Sequence, residues 1–243
     1  MRKPSKLEQQ LAELRGSPSA DAVQRAVRSK NGLLVAAAVR HVTAPDELAA
    51  AFGDLLVDGG KRDPGCRGKV AITRALHDRD EWHELFDTGA RVVQKEPALG
   101  GPVDTAGELR GICGLALAHF GRPEALDVLA DLLADPEVPA RIAAGQGLGD
   151  AGRPDASALL RFKLHTGDDH SEVIGACASS LLALQTAGAI EFVATLLDGE
   201  HAEAIALALS ESRRPAAVPV LVAWAVGAMP AVRRGIGYLA LAL

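Results

Sequence analysis

Two short segments of the chain carry residue types that bind metal ions. His77, Asp80 and His83 are spaced so that imidazole and carboxylate groups converge across a helix start. A metal site needs three or four ligands in a defined geometry, and we favour a role for Asp78 or Asp80 as the cap of the following helix. The loop His165–His170 allows the same two interpretations. We therefore predict no metal and no cofactor, and keep His77, Asp80 and His83 as weak metal candidates.

The best candidate for a functional segment is the stretch from Val92 to Gly107, which is rich in glycine and proline. A regular helical array does not need this insertion, and loops on a rigid scaffold often carry recognition residues. Its polar tip is predicted to consist of Gln94, Lys95 and Glu96. Alternatively, the segment only fills a gap between misaligned units, and both interpretations stay open.

Charged residues recur in phase along the middle of the chain. An acid precedes a base by six residues at three places, and each base precedes a leucine by seven. A row of bases would suit an anionic ligand, but the acids accompany them in step. We therefore predict a structural ladder of charge-assisted hydrogen bonds between neighbouring units. Its members are Asp63 with Lys69, Asp104 with Arg110, and Asp135 with Arg141.

The chain also repeats on a larger scale, as pairs of Ala- and Leu-rich helices joined by Gly or Pro turns. Such repeats predict an all-α, right-handed α-α superhelix of about six two-helix units rather than one compact core. We expect capping helices over residues 1–31 and a repeat array over 32–243 whose last repeat is incomplete. The apolar end of the chain suggests a fragment of a longer protein. The aligned anchor positions are Val39, Leu76, Leu117, Leu148, Leu181, Leu209 and Leu241.

Individual elements follow from caps and breakers. Ser19 or Asp21 caps a helix over residues 20–30, and Pro45 opens another. A helix is predicted over residues 80–91, and the turns Gly121–Pro123 and Gly152–Pro154 repeat one motif. Strands are not expected, because few segments alternate with a period of two.

Composition narrows the possible partners. The formal net charge is −5, and the basic excess is confined to residues 1–30, so nucleic-acid binding is disfavoured. The uncharged segment Pro215–Val232 contains prolines and fits a buried repeat helix better than a membrane span. Aromatic residues make up only 3% of the chain, and we single out Trp82 and Trp224 as possible binding anchors.

The three cysteines show neither a disulfide framework nor zinc-ligand spacing. Cys113 and Cys177 occupy a slot four residues before an anchor leucine, which predicts burial. Cys66 falls in a predicted loop, where it could be exposed. A reducing compartment, and hence the cytoplasm, fits this pattern.

These features together resemble HEAT repeats. The resemblance covers residues 32–243 and is carried by the units of about 30–40 residues, the in-phase charges and the segment PARIAAGQGLGD. Stretches such as RDPGCRGKVAITRALHD also resemble uncharacterised bacterial HEAT-repeat proteins. The resemblance implies an armadillo-like solenoid that presents an elongated surface to a partner.

We therefore predict a non-enzymatic scaffold that binds a protein or peptide, including a basic partner, through an acidic or apolar concave face. No Ser/His/Asp or Cys/His arrangement can be placed together from the spacing. The first alternative is a ligand-handling or lyase-like HEAT protein with a site near residues 92–107. A DNA-binding protein of the alkylation-repair glycosylase type is a weaker alternative, since an acidic groove repels phosphate.

Overall fold

The computed structural model describes residues 4–227, whose regular secondary structure is helical apart from one two-stranded hairpin. The chain divides into two compact units, residues 1–120 and 121–243. Leu241 and the predicted helix 230–243 lie outside the described residues. The fold is an all-α solenoid in which successive helices pack on one another.

Unit 1 has two kinds of helix. One row packs in series, α3 on α6 and α6 on α8, while α2, α4 and α7 lie beside this row. The elements are α1 (Lys6–Arg15), α2 (Ala20–Val27), α3 (Gly32–Ala38), α4 (Pro45–Leu56), α5 (Gly59–Arg62), α6 (Arg67–Asp78), α7 (Leu85–Gly89), β1 (Lys95–Glu96), β2 (Val103–Asp104) and α8 (Gly107–His119); 3-10 turns cover Val39–His41 and Pro64–Cys66.

Unit 2 is more regular. The helices α10, α12 and α14 pack in series, and we call them the row helices of this unit. α9 packs against α10, α11 against α12, and α13 against α14. The elements are α9 (Ala125–Leu133), α10 (Val138–Asp150), α11 (Ala156–Thr166), α12 (Ser171–Ala183), α13 (Ala189–Ala194), α14 (Ala202–Glu211) and α15 (Ala217–Val226).

Local sequence signals explain most helix boundaries. Ser19 caps α2 by accepting a hydrogen bond from the main-chain N–H of Ala22, as predicted. Pro45 occupies the first turn of α4. Gly121 and Gly152 have φ of 62° and 63°, a left-handed conformation that lets the chain reverse between helices.

The core consists of the predicted anchors and their neighbours. Ile72, Cys113, Ala144 and Cys177, which share the slot four residues before an anchor, are fully buried, so that prediction is confirmed. The described anchors are all buried, namely Val39, Leu76, Leu117, Leu148, Leu181 and Leu209.

Three local predictions were wrong. The helix predicted over residues 80–91 is reduced to α7, because Asp80 takes a left-handed φ of 56° and the chain stays irregular up to Glu84. The long insertion forms the antiparallel hairpin β1–β2, where no strand was expected. Cys66 is buried rather than exposed, in a left-handed turn under Thr105.

Candidate functional site

The insertion at residues 92–107 turns its polar side chains inward. Gln94 is only 7% exposed, so it does not form part of a polar tip. Its side-chain amide donates to the main-chain oxygen of Asp63 at 2.9 Å and to Glu96 at 2.6 Å. The exposed end of the hairpin is Leu99, which has its whole side chain in solvent. Sequence reasoning missed this inversion because the groups that draw Gln94 inward lie 25 or more residues away.

Lys69 explains why Gln94 is buried. The Lys69 ammonium is completely buried and lies 3.0 Å from a carboxylate oxygen of Asp63. It also donates to the main-chain oxygen of Leu55 at 3.2 Å and to the side-chain oxygen of Gln94 at 2.9 Å. All three ammonium protons thus have acceptors, which is the condition for burying such a charge.

Asp63 is equally well bound. Its carboxylate accepts hydrogen bonds from the main-chain N–H groups of Gly68 and Lys69, at 2.7 and 3.1 Å. These N–H groups open α6 and have no acceptor within the helix. The pair Asp63–Lys69 therefore fixes the start of α6 and the position of the loop at the same time.

Asp104 and Arg110 form a second buried pair, 2.9 Å apart. Asp104 accepts hydrogen bonds from the main-chain N–H groups of Gln94 and Ala106, and Arg110 donates to the main-chain oxygen of Val92. Burial opposes ionisation of Asp104, but these N–H groups and Arg110 outweigh it and lower the pKa of Asp104. The pair thus ties both ends of the hairpin to α8.

Glu96 completes this network. It accepts hydrogen bonds from Thr105 at 2.6 Å and from the main-chain N–H of Gly65 at 2.8 Å. Burial opposes ionisation of Glu96, but these bonds and the one from Gln94 outweigh it and lower its pKa. Lys95, its neighbour, points outward and is exposed. The buried polar groups near the insertion are thus engaged with one another, which favours a structural role over the ligand-handling alternative.

The third predicted pair behaves differently. Arg141 donates to the main-chain oxygen of Asp135 at 2.8 Å, and its guanidinium also binds the carboxylate of Asp168 in the next repeat. Two guanidinium nitrogens reach the two Asp168 oxygens at 2.8 and 3.1 Å, and Lys163 reaches the same carboxylate at 2.8 Å. Burial opposes ionisation of Asp168, but the bonds from Arg141 and Lys163 outweigh it and hold the pKa of Asp168 well below its usual range.

The weak metal candidates are not gathered into one site. Asp80 lies 2.7 Å from the ring of His119, and His83 accepts a hydrogen bond from the main-chain N–H of Leu85. His77 packs edge-on against His119. Asp80 does not cap a helix, because it sits in the left-handed turn after α6. Within residues 4–227, no group of three or more His, Cys, Asp or Glu side chains could hold a metal ion.

The two tryptophans have different surroundings. Trp82 is half-buried against Phe86 and Phe120, with ring centroids 5.8 and 5.6 Å away. Trp224 is buried, and its indole N–H donates to the main-chain oxygen of Leu197 at 3.2 Å. Trp224 is therefore a core residue of unit 2 rather than a displayed anchor.

Phe162 on α11 has an exposed aromatic side chain. All five phenylalanines lie in the described part of the chain, and Phe162 is the exposed one, at 68%. It falls off the buried stripe formed by Ala156, Leu160 and Leu164. The helical period of that stripe is the signal by which the sequence could have identified it.

Comparison with known families agrees with this architecture. Residues 103–181 match the family model for HEAT repeats, a segment that includes α8 to α12 apart from the last residues of α12. A search among curated proteins finds no match to the chain. Among the described residues, no helix has the length and apolar character needed to cross a membrane.

Proposed function

We propose that this HEAT-repeat protein is a non-enzymatic scaffold that binds a protein or peptide partner. HEAT repeats commonly serve as protein-interaction scaffolds, and the match over residues 103–181 supports that general role here. The finer proposal is that the partner is basic and contacts the exposed side of α9 and α11 in unit 2.

The observation that carries this proposal is the exposure of Phe162. An exposed phenyl ring on a rigid helix offers apolar area whose burial against a partner would be favourable. Aromatic side chains of this kind dominate the energy of many protein interfaces. Phe162 is therefore the proposed anchor, in place of the buried Trp224.

The charge around this anchor supports a basic partner. Asp127 and Asp131 are one helical turn apart on α9, and both are exposed. The nearby bases on α11 are engaged, since Lys163 pairs with Asp168 and Arg161 lies over the ring of Phe192 at 4.6 Å. The two exposed acids of α9 attract Lys- or Arg-rich segments and disfavour nucleic acid.

The experiment is a selection of peptides from a random display library on the intact protein, followed by affinity measurements. We expect enrichment of Lys and Arg. The Phe162→Ala variant should weaken binding by about tenfold or more, as loss of an interface anchor does. The double variant Asp127→Asn/Asp131→Asn should weaken binding and reduce its dependence on salt.

A matched control is Leu207→Ala, which truncates an exposed apolar side chain on the row helix α14. This control should leave affinity nearly unchanged. If Phe162→Ala and Leu207→Ala had equal effects, or if the selected peptides were acidic, the proposed surface would be wrong.

A further inference from the structure

The turns that precede α9, α11, α13 and α15 in unit 2 share a conformation. In each turn one residue has a left-handed φ between 51° and 63°. The residue that follows it occupies an equivalent position in every repeat. The left-handed residues are Gly121, Gly152, Gln185 and Arg213, and the residues that follow them are Arg122, Arg153, Thr186 and Arg214.

Two of the three arginines at this position are neutralised within their own turn. Arg122 lies 3.3 Å from Glu124, and Arg153 binds both oxygens of Asp155 at 3.1 and 2.6 Å. The acid stands two residues after the arginine in each case. These pairs are local, so each arginine carries its own counter-charge.

Arg214 occupies the equivalent position in its turn, but no acid stands two residues after it. The residue two places later is Ala216, whose φ and ψ of −68° and −18° are close to the −67° and −27° of Asp155. Within residues 4–227, the Nη1 atom of Arg214 is buried and has no hydrogen-bond partner. A buried guanidinium N–H without an acceptor is unfavourable, so an acceptor that reached Arg214 would stabilise the folded protein.

The surroundings of Arg214 form a small pocket between the ends of α12 and α14. Its volume is about 230 Å³, and Ser179, Gln185 and Ser212 contribute further hydrogen-bonding groups. Pockets for whole small-molecule ligands usually measure about 300–1,000 Å³. A space of this size is better matched to one side chain or one chain end than to a cofactor.

We propose that the Arg214 pocket binds a carboxylate group of the protein partner. This inference rests on the proposed scaffold function and adds a second anchor to it. A carboxylate fits because its two oxygens can accept two parallel N–H groups of one guanidinium. Glu211 also lines the pocket but is exposed and makes no ion pair with Arg214 within the described residues. The carboxylate comes from an Asp or Glu side chain or from a C-terminus.

The first test measures the Nε–Hε NMR signal of Arg214 during titration with sodium acetate, with sodium chloride at equal ionic strength as reference. Acetate should shift this signal in the wild type and in Arg213→Gln, which removes the same charge from an exposed neighbour. In Ala216→Asp the shift should fall about tenfold, because the new carboxylate pairs with Arg214 as Asp155 pairs with Arg153. Glu211→Gln should increase acetate binding by removing a like charge.

Two outcomes would overturn the anion site. Acetate and chloride could give indistinguishable shifts in the wild type, or Ala216→Asp could respond as the wild type does. Circular dichroism of each variant verifies that the helices are intact.

The second test uses peptides selected on the intact protein, with capped and with free C-termini. Replacing an acid of the peptide by its amide, or capping its C-terminus, should weaken binding to the wild type about tenfold but hardly affect binding to Ala216→Asp. If replacing an acid weakens binding, the carboxylate is an Asp or Glu side chain. If capping weakens binding, it is the C-terminus. If acetate binds and selected peptides bind without needing any carboxylate, the inference fails and the scaffold function stands. If acetate binds and no peptide is ever selected, the scaffold function fails instead, and the carboxylate belongs to a free small molecule.

Discussion

Gly149 of α10 faces Ser180 of α12 so closely that a Cβ atom on the glycine would lie 2.8 Å from the Cβ of Ser180. It would also lie 3.1 Å from the Ser180 Cα, so the obstacle is main chain as well as side chain. The contact joins two row helices of unit 2, and a larger residue at position 149 would push these helices apart.

Gly149→Ala is therefore expected to destabilise unit 2 by about 1–3 kcal/mol, the usual cost of overpacking a close contact. Gly175→Ala, on α12, is the matched control, because its nearest neighbour would be the Cβ of Ala204 at 3.6 Å. This control should raise stability by about 0.5–1 kcal/mol through helix propensity. Urea unfolding measures both values, and a Gly149→Ala protein as stable as the control would refute the close packing.

Lys69 gives the corresponding prediction for unit 1. Lys69→Met leaves the buried Asp63 carboxylate without its cation and should cost about 3–5 kcal/mol. Lys61 also pairs with an acid, Asp58, but both side chains are exposed, so Lys61→Met should cost less than about 1 kcal/mol. The unfolding of unit 1 can be followed by Trp82 fluorescence in a Trp224→Phe background. Equal costs for the two variants would contradict the structural role of the network.

Acid should weaken unit 2 through Asp168. The pKa of Asp168 is lower in the folded protein than in the unfolded chain, so its ionised form stabilises the fold above a pH of about 4. This stabilisation is lost as the pH falls through the folded pKa. Asp168→Asn should therefore be less stable than the wild type at neutral pH, with a difference that narrows below about pH 4. Trp224 fluorescence in a Trp82→Phe background measures the stability of unit 2 in both proteins. A stability difference that did not depend on pH would contradict the ion pair.

The cysteines should be inert in the folded protein. Burial raises the pKa of the Cys177 thiol to about 12 and also raises those of Cys66 and Cys113. A thiol reagent such as DTNB should find no reactive group at pH 8 in the native state and all three in denaturant. Fast labelling of Cys66 in the native protein would show that the turn under Thr105 is open.

The sequence predicted unit 2 better than unit 1, for physical reasons. In unit 2 the helical period, the glycine turns and the leucine anchors are local signals, and they agree with one another. In unit 1 the decisive contacts are distant, since Lys69 requires an acceptor that Gln94 supplies from 25 residues away. No local pattern distinguishes such a glutamine from an exposed one. The pairing of Arg141 with Asp168 of the next repeat likewise depends on how one repeat stacks on the next.

The central claim is that the charges recurring in phase hold successive repeats together. A double-mutant cycle with Arg141→Met and Asp168→Ala tests it most directly, with the exposed pair Arg153–Asp155 as control. We predict a coupling free energy of about 2 kcal/mol between Arg141 and Asp168, against about 0.5 kcal/mol or less for the control. A coupling between Arg141 and Asp168 no larger than that of the control would contradict the claim.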